Sequence, residues 1–193
     1  LDPGKLWAKG SPAIMGIVNV TPDSFSDGGL YLEPEAAVRR GLALWAEGAV
    51  VVDVGGESTR PGALPVPMEE ELCRVVPVIR TLASQAPEGL ISVDTSKAAV
   101  AAEALAAGAC LVNDVSAGSD PAMGEVVAAE GAGIVLMHMR GTPQTMQQNT
   151  HYAHVVAEVA EFLWQRGERA LAWGISRDRI FLDPGIGFGK DLA

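Results

Sequence analysis

The stretch LISVDTSKAAVAAEALAAGACLVND, residues 90–114, holds one complete unit of the chain's plan. Leu90–Asp94 is short and mostly apolar, and reads as a strand. Lys97–Ala107 is dense in Ala with Leu and Glu, and Gly108 stands where a helix reverses its backbone, so this piece reads as a helix. Cys110–Asp114 is the next strand. Strands that are apolar at nearly every position are buried on both faces, which points to a parallel sheet covered by helices. Both strands end in polar groups, Asp94 in one and Asn113 with Asp114 in the other.

The same alternation extends in both directions. Towards the N-terminus lie strands at Ile14–Val20 and Val50–Val54. They alternate with helices at Pro34–Glu47, where Pro34 suits a first turn, and at Met68–Ala86, where Pro77 is expected to kink or split the helix. Towards the C-terminus come a helix at Ala122–Glu130 closed by Gly131 and a strand at Gly133–His138. A long helix at Tyr152–Trp173 closed by Gly174 and a sixth strand at Arg179–Asp183 follow. Each strand finishes on or just before a polar residue: Asn19, Asp53 with Glu57 beyond it, Asp94, Asn113, His138 and Asp183. In a parallel barrel all such ends converge on one face. In a doubly wound sheet only those near the switch point do. The pattern therefore favours a (β/α)8 barrel of the TIM type, with about six of eight strands in this stretch. A typical barrel has about 250 residues. Six strands alone would leave open edges, so two further units are expected outside residues 1–193, all of which belong to a single domain.

Of the 193 residues, 48% are hydrophobic and 20% charged, the balance of a globular protein. The net charge of −10 disfavours nucleic acid or an anionic membrane as partner. It leaves room for a small phosphorylated substrate held by local cations, a metal and backbone N–H groups. No apolar run approaches the roughly 20 residues of a membrane helix. The first residues carry no signal-peptide pattern, and the lack of an initiating Met suggests that the stretch begins inside a longer chain. Cys73 and Cys110 form no CxxC pair and read as two buried, reduced thiols in a cytoplasmic protein.

Several loops carry chemistry. MGIVNVTPDSFSDGG (15–29) runs from a buried strand into a loop of Pro, Asp, Ser and Gly, where Asn19 offers an amide oxygen and Asp23 and Asp27 offer carboxylates to a hard cation. DVGGESTRPG (53–62) puts two glycines after a strand, then Arg60 between Thr59 and Pro61. The guanidinium there suits a phosphate or carboxylate, or is simply an exposed arginine in a turn. Asp94 and Asn113 are an acceptor and an amide at neighbouring strand ends, able to read a heterocycle. The alternative is helix capping, since Asp94, Thr95 and Ser96 are all good caps for the helix from Lys97, although Thr95 or Ser96 can cap while Asp94 stays free. DPGIGFGK (183–190) is neither a phosphate-binding loop nor a dinucleotide fingerprint, because its spacing is wrong for both. It offers Asp183 at the strand end and Phe188 as a wall. His138 lines a pocket or packs, and His151 and His154 belong on the surface.

Taken together, residues 15–29 and 183–190 resemble the two signature patterns of the dihydropteroate synthase family, and GGESTRPG (55–62) resembles its second loop. SVDT (92–95) and VNDV (112–115) fall in the family's order. The resemblance covers the whole stretch. It implies a (β/α)8 barrel that displaces pyrophosphate from 6-hydroxymethyl-7,8-dihydropterin pyrophosphate with the amine of p-aminobenzoate. It implies that Asp94, Asn113 and Asp183 bind the pterin and that Met137 and Gly187 also belong to the substrate-binding residues. Asn19 and a carboxylate such as Asp27 would serve Mg2+, and Thr59 and Arg60 would lie near the pyrophosphate and the second substrate. Phe25, Pro61 and Phe188 would enclose p-aminobenzoate, and Asp94, Asp27 and Arg60 would carry the catalysis. It further implies a homodimer. The family's lysine after strand seven and Arg-x-His after strand eight would lie beyond Ala193, so residues 1–193 alone are expected to be weakly active or inactive. Two other readings keep the same slot. A methyltetrahydrofolate-dependent methyltransferase has no need of a pyrophosphate site. A non-catalytic or truncated pterin-binding module would bind without turnover.

Overall fold

The computed structural model describes residues 12–21 and 33–191. Six strands alternate with five helices: β1 (Met15–Asn19), α1 (Glu33–Ala46), β2 (Val51–Gly55), α2 (Met68–Gln85), β3 (Leu90–Asp94), α3 (Ala98–Ala106), β4 (Leu111–Asp114), α4 (Met123–Ala129), β5 (Gly133–Met137), α5 (Val155–Ala172) and β6 (Ile180–Asp183). Single 3-10 turns at Met146–Gln148 and Arg177–Arg179 precede α5 and β6. Every adjacent pair of strands is parallel, and the order in space is the order in sequence. A doubly wound sheet reverses its order at a switch point. This one never does, so it follows the course of a barrel wall, with β1 and β6 at its two ends.

The register fixes which side chains look inward. Asn19 pairs with Gly55, Gly55 with Asp94, and Asp94 with Asn113. Side chains alternate in period two, so Asp53, Ser92 and Asp94 share the inner face while Val52, Val54, Ile91 and Val93 point out. The outward residues form the main core with Val75, Val78, Ile79 and Leu82 of α2 and Val100, Ala101 and Ala104 of α3, all buried. Burying one such aliphatic side chain is worth about 1.5–3 kcal/mol.

Pro77 does not split α2, which runs unbroken from Met68 to Gln85. Pro77 and Thr81 lie on its outer side, where the Thr81 hydroxyl donates to the Pro77 carbonyl at 2.9 Å. The helix from Ala98 is also capped differently than expected. Its first N–H, that of Ala98, donates to the carboxylate of Asp120 at 2.9 Å, whereas the Thr95 hydroxyl accepts from Lys97 N–H at 3.2 Å, just outside the helix. Gly108, Gly131 and Gly174 do close their helices in the left-handed region, with φ of 118°, 60° and 91°. The two cysteines are not both buried: Cys73 is exposed on α2, and Cys110 is half-buried with its thiol pushed up by burial. Among the described residues no helix is long and apolar enough to cross a membrane.

Candidate active site

The carboxyl ends of the strands surround a cavity of about 470 Å3. Met15, Ile17 and Asn19 enter from β1, with Thr21 just past it. Asp53 comes from β2, Asp94 from β3 and Asn113 from β4, with Val115 beyond. Val135 and Met137 come from β5 and Asp183 from β6, while Ser58, Thr59, Arg60 and Phe188 close in from loops. Polar ends that are scattered through the sequence are thus one wall in space. A larger groove, about 820 Å3, lies beside the start of α5 and contains none of these strand-end groups. Its size gives it no chemistry.

The cavity is rich in hydrogen-bond acceptors. Asp183 accepts the Gly185 N–H at 2.7 Å through Oδ1, which fixes the carboxylate. Burial holds the Asp94 carboxyl well above the usual carboxylate range, and the negative charges of Asp53, Glu71, Asp114 and Glu57 push it the same way. Burial also raises Asp53, against the opposing effect of Ser92 and Asn113. Two carboxyl groups buried in one cleft cannot both ionise cheaply. Such a cleft favours a ligand that brings donors or positive charge. Asp114, by contrast, faces away and is spent on its own loop, accepting from Ser116 N–H, the Ser116 hydroxyl and Gly118 N–H.

The structure brings together Asn19, Thr59, Arg60, Asp94, Asn113, Met137, Asp183 and Phe188. Pro61 and Gly187 do not line the cavity. Both are exposed, Pro61 directly after Arg60 and Gly187 in the loop after β6 at φ 89°. Phe25 and Asp27 lie outside the described residues. His138 proves to be a packing residue, 4% exposed, with Phe162 of α5 edge-on at 4.9 Å. His151 and His154 are exposed.

Sequence reasoning missed three groups. Asp53 was recognised as a strand-end residue but given no task, although it lies in the cavity wall and accepts from Asn113 Nδ2 at 2.9 Å. Lys97 looked like the start of a helix, yet its ammonium bridges Glu57 and Glu71. Lys190 appeared only as the end of a glycine-rich run. It donates to the carbonyls of His138, Gly185 and Phe188 at 3.2, 2.9 and 3.0 Å and so holds the loop after β6 in shape. Only the period-two pattern of β2 could have shown Asp53 facing inward. Nothing local shows the other two partnerships.

Residues 15–193 match the pterin binding enzyme family. The dihydropteroate synthase of Escherichia coli is 46% identical over 195 residues, covering 98% of this chain and 69% of that one. A solved dihydropteroate synthase of Xanthomonas albilineans with 4-aminobenzoic acid superposes with a TM-score of 0.86 at 52% identity, covering 93% of this chain and 63% of that one. The same enzyme in complex with 7,8-dihydropteroate gives 0.81 at 48% identity, with the same coverage of both chains. The chain thus spans about two thirds of the length of the relatives it matches. A family match over residues 15–193, and a relative 46% identical of which the chain covers 69%, lead to one conclusion: the chain belongs to the pterin binding enzymes and, among them, to the dihydropteroate synthases.

Proposed function

We propose that the protein joins 6-hydroxymethyl-7,8-dihydropterin pyrophosphate to p-aminobenzoate, forming a C–N bond, releasing pyrophosphate and giving 7,8-dihydropteroate for folate biosynthesis. The observation that carries this reading is the acceptor-lined cavity, with Asp94, Asn113 and Asp183 on one wall. A dihydropterin presents its 2-amino and ring N–H groups as donors. Each charge-assisted hydrogen bond to a carboxylate is worth about 1.5–3 kcal/mol. A ring lacking a donor leaves a buried acceptor unpaired and is rejected.

Thr59 and Arg60 stand at the mouth of the cavity, on the loop after β2, where the substrates' anionic parts would project. A guanidinium fork suits pyrophosphate or the carboxylate of p-aminobenzoate. Phe188 and Met137 offer apolar surface to an aromatic ring. When pyrophosphate leaves, the dihydropterin methylene becomes a delocalised cation. An ionised Asp94 beside it would stabilise that charge in a water-poor cleft, an effect that contributes several kcal/mol in comparable sites, on the order of 3–4. The aniline nitrogen is neutral and nucleophilic and needs no strong base.

The described residues hold no group of three or more acidic, His or Cys side chains able to cage a metal. Mg2+ is usually held by one or two carboxylates and the substrate's phosphates, so the site would need a carboxylate such as Asp27, which lies outside the described residues, beside an amide oxygen. Asn19, at the end of β1 in the cavity wall, is the described residue placed to supply such an oxygen. Bound there, Mg2+ would neutralise the departing pyrophosphate. Family membership supports a homodimer acting in the cytoplasm. The direct test is to mix the full-length protein with the pterin pyrophosphate, Mg2+ and p-aminobenzoate, then follow pyrophosphate release and dihydropteroate formation. Binding of the pterin with no turnover would reduce the protein to a pterin-binding module.

A further inference from the structure

Asp53 is a buried carboxylate for which the reaction above has no use. It is 2% exposed, sits at the middle of β2 and belongs to the cavity wall. Its Oδ2 accepts the Asn113 amide N–H at 2.9 Å, and the buried Ser92 hydroxyl beside it favours the charged carboxylate together with Asn113. The two residues lie on strands separated by β3, so this bond crosses the inside of the barrel wall.

An asparagine amide has one donor end and one acceptor end of almost the same shape. Turning it over costs little by itself, and it reverses what the residue offers a ligand. A carboxylate can only accept, so Asp53 pulls the Nδ2 end of Asn113 towards itself. The carbonyl oxygen is then the end left for the cavity. We propose that Asp53 is a positioning residue that locks the Asn113 amide with its oxygen towards the ligand, and so restricts the slot to rings with a donor on the facing edge. The proposal rests on the pterin reading above and adds to it the residue that sets the polarity of one recognition contact. With Asn113 so held, Asp94, Asn113 and Asp183 all present acceptors. Turned over, Asn113 would oppose the other two.

The test is calorimetric binding to the full-length protein. The probes are 6-hydroxymethyl-7,8-dihydropterin and three analogues that each lack one donor: 2-desamino, N3-methyl and N8-methyl. The variants are Asp53→Asn and the exchange Asp53→Asn with Asn113→Asp. An amide at position 53 can either accept from Asn113 or donate to it, so the single variant releases the lock. The exchange restores a donor–acceptor pair and leaves a carboxylate oxygen towards the ring. We expect Asp53→Asn to weaken dihydropterin binding about ten-fold. It should change by less than two-fold the affinity for the one analogue whose missing donor faced Asn113. The exchange should return dihydropterin affinity to within about three-fold of the parent. A uniform loss for all four probes, no change for any, or failure of the exchange to recover affinity would each overturn the proposal. If Asp53→Asn does not fold, the exchange alone decides, since it keeps the pair. A parent protein that binds no dihydropterin would instead overturn the functional reading.

Discussion

Lys97 Nζ lies 2.5 Å from Glu57 Oε2, and the same ammonium lies 2.5 Å from Glu71 Oε2. One side chain just past β3 therefore holds the loop after β2 and the first turn of α2. Glu57 also accepts Val66 N–H at 3.1 Å, and Arg74 donates to the Gly56 carbonyl at 2.7 Å. The loop that carries Ser58, Thr59 and Arg60 is thus pinned at both feet while Arg60 itself stays exposed. Burial alone would lower the Lys97 pKa, but Glu57 and Glu71 raise it above its ordinary value.

Removing the cation should separate stability from loop placement. Lys97→Met strands Glu71, which is 0% exposed, without a counter-charge. Breaking such a pair costs about 3 kcal/mol, at the low end because Lys97 keeps some solvent contact. Glu57→Gln leaves the Lys97–Glu71 pair and should cost no more than about 1 kcal/mol, yet it loosens the loop and should raise KM for both substrates several-fold. The sign with pH follows from the raised lysine pKa. The stabilisation is complete below the unfolded value of 10.5 and disappears as pH rises through the folded value above it. Urea unfolding and steady-state kinetics of the full-length variants check both halves; equal KM in Glu57→Gln and parent would remove the loop role.

Two glycines of the loop after β6 look alike in sequence and should behave differently. A Cβ on Gly185 would sit 2.1 Å from the His138 carbonyl oxygen, a backbone atom, at a φ of 63°. A Cβ on Gly187 would meet nothing within 4 Å, at a φ of 89°. Gly185→Ala should therefore cost about 3 kcal/mol or more. It should also shift Asp183, whose carboxylate the Gly185 N–H holds, and so weaken pterin binding. Gly187→Ala pays for the left-handed backbone alone, about 1–2 kcal/mol, and should leave binding unchanged. Denaturation midpoints and pterin titrations of the two variants provide the comparison.

The strand ends were legible because a parallel barrel obliges each strand to finish at the same face. Asn19, Asp94, Asn113 and Asp183 could be assembled into one wall from order and polarity alone. Element boundaries shifted by only one to three residues, as at α5, which begins at Val155 rather than Tyr152. What could not be read were partnerships across sequence. Lys97 with Glu71, Lys190 with three carbonyls and Asp120 on the end of α3 depend on how loops fold back. No periodicity encodes that. Pro77 misled for a related reason: proline breaks a helix by local sterics, but here it sits on the outer side of α2, where the well-packed inner face keeps the helix whole. The family resemblance had pointed to Pro61 and Gly187 as well, and neither is among the residues that line the cavity.

The distant cap gives a prediction confined to stability. Asp120 accepts Ala98 N–H at 2.9 Å through Oδ2 and Ala122 N–H at 3.0 Å through Oδ1, so it closes the N-terminus of α3 and the approach to α4 together. Asp120→Ala should cost about 1 kcal/mol, the usual price of an N-cap. In a domain of this size that lowers Tm by roughly 2–4 °C. Kinetic constants should not move, since Asp120 is not among the residues that line the cavity. A change in KM larger than two-fold would show that the α3 terminus feeds into the site.

Asp94 should show a conflict between stability and function. Its folded pKa is raised well above 3.8, by burial first and by the charges of Asp53, Glu71, Asp114 and Glu57. Between 3.8 and the folded value the native state binds more protons than the unfolded chain, so stability falls as pH rises through that window. The penalty is complete above the folded value and absent below 3.8. Asp94→Asn removes it, so the free variant should melt higher than the parent at neutral pH, with the difference vanishing as pH falls towards 3.8. Turnover should drop by about 100-fold or more, because the amide cannot stabilise the methylene cation, while pterin affinity falls less. Thermal melts across pH, set beside kcat and a pterin dissociation constant for each form, measure the trade. A variant no more stable than the parent at neutral pH would mean that the acidic cleft imposes no charge penalty. Equal losses in affinity and turnover would mean that Asp94 binds the ring without acting on the cation.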